Sequence, residues 1–453
     1  MISNQIMTKY RWTICALLFF ATTVNYLDRQ VLSLLQPNLE KLFSWTKSDY
    51  GNITSAFTFM YAICTLFVGR FVDKAGTKKG YAIAIAVWST GALVHALVYF
   101  VNPASTANIL GFTLPMSVLG FILCRCLLAL GEAGNFPAAI KTVAEWFPKR
   151  DRALATGVFN SGANIGAIIA PLSVPLIAKY MGWEWAFVMV GIIGFVWLIF
   201  WLIFYESPKH MLDKNKINQA EFNYINSDEQ DTVQTDQKKD FSFFSVFKYR
   251  QTWSFSLGKF FTDGVWWFFL FWLPDYLKTT HGMDAEQMTI PLAVLYSMTM
   301  IGSIGGGYFP ALFNKEGRDP YQSRMIAMRC IALIPLVVLA AQPLSSYSFW
   351  FPVILIGIGA SAHQAWSANI YSTVSDMFPK KAVASVIGIG TMAGGLSGVL
   401  TSKVGGWIFD YYAAQGSVNT GYTIMFSYCA VAYIAAWCVM KLLVPKYKII
   451  NNL

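Results

Sequence analysis

Charged residues are scarce in this sequence. Asp, Glu, Lys and Arg make up 13% of 453 residues, against 55% hydrophobic and 16% aromatic. Soluble domains carry about 25% charged residues, so an ordinary water-soluble domain is excluded. Long polar stretches are nearly absent too: residues 206–250 form the one extended example. The seven cysteines (15, 64, 124, 126, 330, 429 and 438) all lie in apolar runs, and their spacing suggests neither a disulfide framework nor a zinc site. A nucleophile elbow, a phosphate-binding loop and a metal-ligand cluster are all missing, which argues against an enzyme and leaves no cofactor or metal to expect. A small-residue cleavage site is also lacking after the first apolar run, so that run is expected to remain as a membrane span.

What the chain has instead is apolar runs of roughly twenty residues, each long enough to cross a bilayer. Twelve are read, at about 12–34, 51–71, 80–101, 114–139, 153–178, 184–205, 251–278, 289–313, 325–342, 349–375, 383–410 and 420–444. The fold expected is an all-α integral membrane protein of twelve helices, with the lipid bilayer as its surroundings. The net charge of +10 is concentrated in the loops after spans 2, 4, 6, 8 and 10 and in the tails. The opposite loops hold only Lys41, Lys47, Lys179 and Lys278. Basic residues collect on the cytoplasmic side of such proteins, so both termini are expected there. The charge then orients the chain, and nucleic acid is not an expected partner.

The polar stretch divides the sequence into a six-span unit (1–205), a cytoplasmic linker (206–250) and a second six-span unit (251–453). "TVAEWFPKR" (142–150) matches "TVSDMFPKK" (373–381) at an offset of 231 residues. Ala153 then pairs with Ala384 and Gly157 with Gly388. At the front of each unit an offset of 237 aligns "PNLEK" (37–41) with "PDYLK" (274–278) and Gly69 with Gly306. Internal repeats of this kind, both entering and leaving on the same side, form a substrate site at their interface near the midplane. Gly162 and Gly166 in span 5, and Gly390, Gly394 and Gly398 in span 11, have the four-residue spacing of close helix packing.

"GRFVDKAGTKK" (69–79), between spans 2 and 3, resembles the loop signature of the major facilitator superfamily, with Lys74 and Thr77 where arginine is more usual. "YESPK" (205–209) is similar to the sequence that follows span 6 in many members. The second-unit counterpart, from Gly306 to Arg318, is degenerate. "NYLDR" (25–29), "RCLLALGEAGNFPA" (125–138) and "FNSGANIGAIIAP" (159–171) resemble the anion:cation symporters. "KFFTDGVWWFFLFWLPDYL" (259–277) and "HQAWSANIYSTVSDMFP" (363–379) are most similar to bacterial hexuronate transporters, with galactonate transporters close by. The resemblance covers nearly the whole chain outside the linker and tails. It implies a monomeric carrier of the bacterial inner membrane that takes up a sugar-acid anion with protons by alternating access, through a central cavity.

Charges inside a membrane are costly, about 2.5–3.5 kcal/mol each on insertion scales, so they mark candidate sites. In span 1, Asn25, Asp28 and Arg29 share a helix face. In span 4, Arg125 and Glu132 share another, too far apart for a direct pair within one helix. A guanidinium can bind a carboxylate bidentately, and nearby carboxylates can carry protons. The resemblance implies that Arg29 contacts the substrate carboxylate, that Asp28 and Glu132 carry coupling protons, and that Arg125 tunes Glu132. Tyr26 and Tyr61 are candidate hydroxyl partners. In the second unit the repeat sets Trp266 opposite Arg29 and His363 opposite Glu132. Trp266, ranked above Trp267, and Trp366 offer flat faces for sugar carbons, while Gln364 and Asn369 offer amides for hydroxyls. Lys259 and Asp263 read as an intrahelical pair, and Arg329 and Lys403 as snorkelling near helix ends. Gly69, Asp73, Lys74 and Gly76 of the signature loop read as a gating element that sets rate rather than specificity.

Alternatives within the same fold are an aldonate symporter, a sodium-coupled organic-anion symporter using Asn25 and Asp28, and a drug/proton antiporter. A membrane enzyme or a sensor is disfavoured, since the expected spans leave only a linker and short tails.

Overall fold

In hydrocarbon every backbone N–H and C=O must find a partner within the protein, so spanning apolar runs become helices. The structure is a computed structural model that describes residues 7–109, 112–227, 243–313, 320–446 and 448–450. The middle of the linker (228–242) and most of the degenerate loop (314–319) lie outside the described residues, as does the side chain of Asp73.

Before the linker come α1 (Tyr10–Phe43), α2 (Lys47–Ala75), α3 (Thr77–His95), α4 (Met116–Glu132), α5 (Asn135–Trp146), α6 (Lys149–Met181) and α7 (Trp183–Phe204). The linker holds α8 (Pro208–Asp213) and α9 (Gln219–Ile225). After it come α10 (Arg250–His281), α11 (Thr289–Tyr308), α12 (Pro320–Leu333), α13 (Ala341–Leu344), α14 (Trp350–Met377), α15 (Lys380–Ala414) and α16 (Val418–Leu443). With α4–α5 and α12–α13 each counted as one crossing, these give twelve spans.

Among the described residues, nine helical stretches qualify as membrane spans on length and hydropathy. The spans beyond those nine are α1, α10 and α14, of 34, 32 and 28 residues. They are long enough, but they carry the polar residues from which the site is built. An even number of crossings brings the chain ends and the linker to one face, here the terminal face; the other is the far face. A short antiparallel hairpin, Thr106–Ile109 with Phe112–Pro115, precedes α4 and takes up the first two residues of the expected fourth span.

The repeat reappears as repeated packing. In the first half α6 lies against α1, so closely that a Cβ on Gly162 or Gly166 would come within 2.4 or 2.3 Å of the Phe19 or Thr23 carbonyl oxygen. In the second half α15 lies against α10, where a Cβ on Gly394 or Gly398 would meet Asp263 at 2.1 Å or Trp267 at 2.5 Å. Small residues let helix backbones approach in lipid, where no hydrophobic force drives them together. The first half holds α9 in place: Glu221 is buried and accepts hydrogen bonds from the Tyr10 and Arg11 backbone N–H groups and the Arg11 guanidinium, each at 3.0 Å. A carboxylate at the start of α1 satisfies otherwise orphaned N–H groups.

Candidate functional site

The charged centre forms where α1 faces the break between α4 and α5. The α4 helix ends at Glu132 and α5 starts at Asn135, so Glu132 sits at an interruption, deep in the span. Packing of α3 enforces this close approach, since a Cβ on Gly131 would lie 2.3 Å from the Trp88 backbone nitrogen. Glu132 accepts a hydrogen bond from Arg29 Nε at 2.6 Å, and both side chains are at most 4% exposed. The Arg29 guanidinium also lies over the rings of Tyr61 (4.7 Å), Tyr26 (5.0 Å), Trp267 (5.9 Å) and Phe57 (6.0 Å). Its cage therefore draws on both halves of the molecule.

Asp28, Arg125 and Asn25 surround this pair. Asp28 is fully buried and interacts electrostatically with Glu132, Arg125 and Arg29. Arg125 is 1% exposed, and its guanidinium lies 5.6 Å from the Phe57 ring. Both carboxylate oxygens of Asp28, all three guanidinium nitrogens of Arg125 and both amide atoms of Asn25 are buried without a hydrogen-bond partner. Unmatched buried charge is costly, and two cations with two carboxylates make the cluster neutral as a whole. Such a set is stable when closed yet leaves donors for an entering anion.

At the equivalent positions of the second half the chemistry is aromatic. Trp266 stacks on His363 (centroids 5.1 Å apart, 11° between planes), and His363 Nδ1 lies 2.8 Å from the Tyr433 hydroxyl. Trp366 is fully buried against Tyr433. Gln364 is half-buried. Asn369 donates to the Gly306 and Ala365 carbonyl oxygens at 2.7 and 2.9 Å, which engages its amide between α14 and α11. Of Asn369 and Trp366, both expected to face the sugar, Asn369 has its amide engaged by these carbonyls, while the Trp366 indole N–H is buried without a hydrogen-bond partner. Lys259 pairs with Asp263 at 2.7 Å as an i,i+4 pair, and also donates to the Tyr371 hydroxyl at 3.0 Å. Arg329 and Lys403 are exposed.

Sequence reasoning missed Phe57 and ranked Trp267 below Trp266. The ring of Trp267 meets Tyr61 (6.2 Å) and Phe57 (6.3 Å), so Trp267 faces the Arg29 cage while Trp266 faces His363. Phe57 and Tyr61, four residues apart and stacked at 6.1 Å, form a helical aromatic stripe that could have been read as such.

On the far face the halves are joined. Asp275 of α10 accepts from Gln36 at 2.9 Å, Tyr422 at 2.5 Å and Lys47, which also bonds Glu40 at 2.7 Å. Asp410 of α15 accepts from the backbone N–H groups of Lys47 and Ser48 at 2.8 and 2.7 Å. Toward the terminal face, a Cβ on Gly69 of α2 would meet nothing within 4 Å.

The signature loop turns at Gly76, whose φ of +78° suits glycine, and Lys74 is exposed. Lys78 pairs with Glu206 at 2.7 Å, so the loop signature meets the "YESPK" segment. Thr77 donates to Glu145 at 2.5 Å, and Glu145 also accepts from the Tyr205 hydroxyl.

Twelve spanning helices in repeated halves, with a neutral charged cluster buried between them, define a membrane carrier. The chain belongs to the Major Facilitator Superfamily, whose model matches residues 18–402; it is a multi-pass membrane transporter and not an enzyme. Among similar proteins, the hexuronate transporter of Escherichia coli (strain K12) is 28% identical over 403 residues, covering 88% of each chain. The galacturonate transporter of Dickeya chrysanthemi is 28% identical over 352 residues, covering 78% of this chain and 95% of that one. A solved bacterial homolog of the human lysosomal transporter Spinster superposes with a TM-score of 0.73 at 17% identity, covering 96% and 97% of the two chains.

Proposed function

We propose that the protein is a proton-coupled symporter that takes up a sugar-acid anion, a hexuronate such as galacturonate or glucuronate, across the bacterial inner membrane. Both termini are cytoplasmic, the unit is a monomer, and residues 1–205 and 251–453 rock about the site while 206–250 tether them. The observation that carries this reading is the 2.6 Å Arg29–Glu132 pair beside unpartnered Asp28 and Arg125. The names of the similar transporters support a sugar acid as the cargo.

In this mechanism the substrate carboxylate takes the place of Glu132 on Arg29, and Glu132 accepts a proton as it leaves. Exchange of one carboxylate for another keeps the buried charge balanced, which is what allows an anion into a low-dielectric site. Asp28 carries the second proton. Arg125 holds whichever of the two carboxylates is still ionised. Tyr26 and Tyr61 flank the guanidinium, and Trp266, His363 and Gln364 present the second half's surface to the sugar ring.

The buried, unpartnered oxygens of Asn25 and Asp28 favour sodium as the second reading for the coupling ion. Uptake of galacturonate into proteoliposomes under an imposed pH gradient tests the proposal. Accumulation that follows the proton gradient and is indifferent to sodium supports it. Sodium-dependent uptake at fixed pH replaces the proton, a preference for galactonate moves the assignment to an aldonate, and a preference for neutral hexoses overturns the carboxylate role of Arg29.

A further inference from the structure

A second buried ion pair lies in the other half and has no role in the mechanism above. Lys259 and Asp263 of α10 are bonded at 2.7 Å, their side chains 5% and 15% exposed. By the 237-residue offset, Asp263 occupies the position that Tyr26 holds in the first half, and Tyr26 is part of the Arg29 cage. Lys259 Nζ also lies over the Tyr371 ring at 4.5 Å, and half-buried Tyr371 interacts electrostatically with Tyr26 across the halves. The pair therefore adjoins, through Tyr371, the aromatic cage around Arg29. It is far enough from Arg29 to be a separate anchor. Trp267 is 5.9 Å from the Arg29 guanidinium, and Lys259 lies eight residues before it, about 12 Å of helix rise.

The geometry points to Lys259 and Asp263 as a second anion subsite, which takes the far carboxylate of a six-carbon sugar diacid. This inference rests on the reading of Arg29 as the first carboxylate anchor. The lengths agree. Terminal carboxyl carbons of an extended six-carbon chain stand about 6 Å apart with C–C bonds of roughly 1.5 Å. Two charge-assisted contacts of about 2.8 Å each extend that reach to roughly 12 Å. The charges agree as well. Asp263 takes up a proton from solution and releases Lys259, whose ammonium then bonds the incoming carboxylate, so the subsite is neutral before and after. The titratable groups facing Asp263 are Lys259 on its own helix, Tyr428 and Tyr433 of α16, and, through Lys259, Tyr371 and His363 of α14. Across α15, the missing side chain of Gly394 leaves room for the Asp263 carboxylate, which packs directly on it. A monocarboxylate hexuronate does not engage Lys259 and leaves the pair closed.

The test is binding of galactarate, a diacid, and galacturonate, a monoacid, to purified full-length protein as a function of pH. The variants are Lys259→Gln/Asp263→Asn, which removes both charges together, and Asp263→Asn. Thermal unfolding in detergent verifies that each is folded. The wild type is expected to bind both ligands, with galactarate gaining more affinity as pH falls. The double variant is expected to lose at least tenfold for galactarate and less than threefold for galacturonate. Asp263→Asn is expected to hold galactarate with that additional pH dependence gone. Equal losses for both ligands, or no loss for galactarate, overturn the subsite and leave the pair a packing element. A wild type that binds galacturonate but not galactarate overturns the subsite alone. One that binds neither overturns the Arg29 reading and the subsite with it.

Discussion

The two halves use the same positions for different chemistry. Where the first half pairs Arg29 with Glu132 at 2.6 Å, the second half stacks Trp266 on His363 at 5.1 Å. The backbone repeat brings each pair together, while side-chain identity decides what it does. An ion pair holds an anion and a proton; an aromatic pair holds a ring and carries no obligatory charge. The difference teaches that, in the proposed mechanism, coupling belongs to the first half and recognition of the sugar to the second.

This division can be broken by mutation, with the largest effect expected at Arg29. Arg29→Gln strands Glu132 and removes the anion anchor. Truncating one partner of a buried charge pair costs about 2–5 kcal/mol, so galacturonate affinity is expected to fall by roughly 30-fold or more, measured by calorimetry. Glu132→Gln and Asp28→Asn are expected to abolish accumulation driven by a pH gradient while retaining part of counterflow exchange. Proton-coupled accumulation by both variants would remove coupling from the first half.

A smaller effect is expected at the aromatic pair. Stacking is worth about 0.5–1.5 kcal/mol, so Trp266→Ala should weaken affinity by about two- to tenfold and leave the proton-to-substrate ratio unchanged. A changed ratio would erase the distinction between the halves. Asp275→Asn loosens the far-face closure around Lys47 and Gln36. It is expected to raise labelling of a far-face cysteine reporter severalfold, with little change in specificity.

The smallest effect is expected at Glu206, whose carboxyl is held below its ordinary value by the hydrogen bond from Lys78. A depressed carboxyl stabilises the fold above its unfolded value of about 4.5 and loses that contribution as pH falls through the folded value. Because the pair is half-buried and still reached by solvent, Glu206→Gln should shift stability only slightly, and only above that range, as read by thermal unfolding at pH 7 and pH 3.5.

Most of the fold was legible because hydrocarbon forces long apolar runs into helices, and the runs could be counted. The first-half site was legible for the complementary reason: Asp28, Arg29, Arg125 and Glu132 are charges where charge is costly. The contacts among them were not, because Arg29 and Glu132 are 103 residues apart and meet only once α1 packs against the α4–α5 span. In the second half the signal weakens, since a tryptophan or asparagine in a span serves packing as readily as binding. Thus Asn369 turns out to bridge α14 and α11, and Trp267 rather than Trp266 reaches the Arg29 cage. The far-face closure through Asp275 joins residues from four helices and has no local signature.

The central claim is that the substrate carboxylate displaces Glu132 from Arg29 and that Glu132 leaves as an acid. Proton uptake on adding galacturonate to purified protein in weak buffer measures this directly. The account predicts uptake by the wild type that diminishes in Glu132→Gln. Binding without proton uptake, or uptake unchanged in Glu132→Gln, would contradict it.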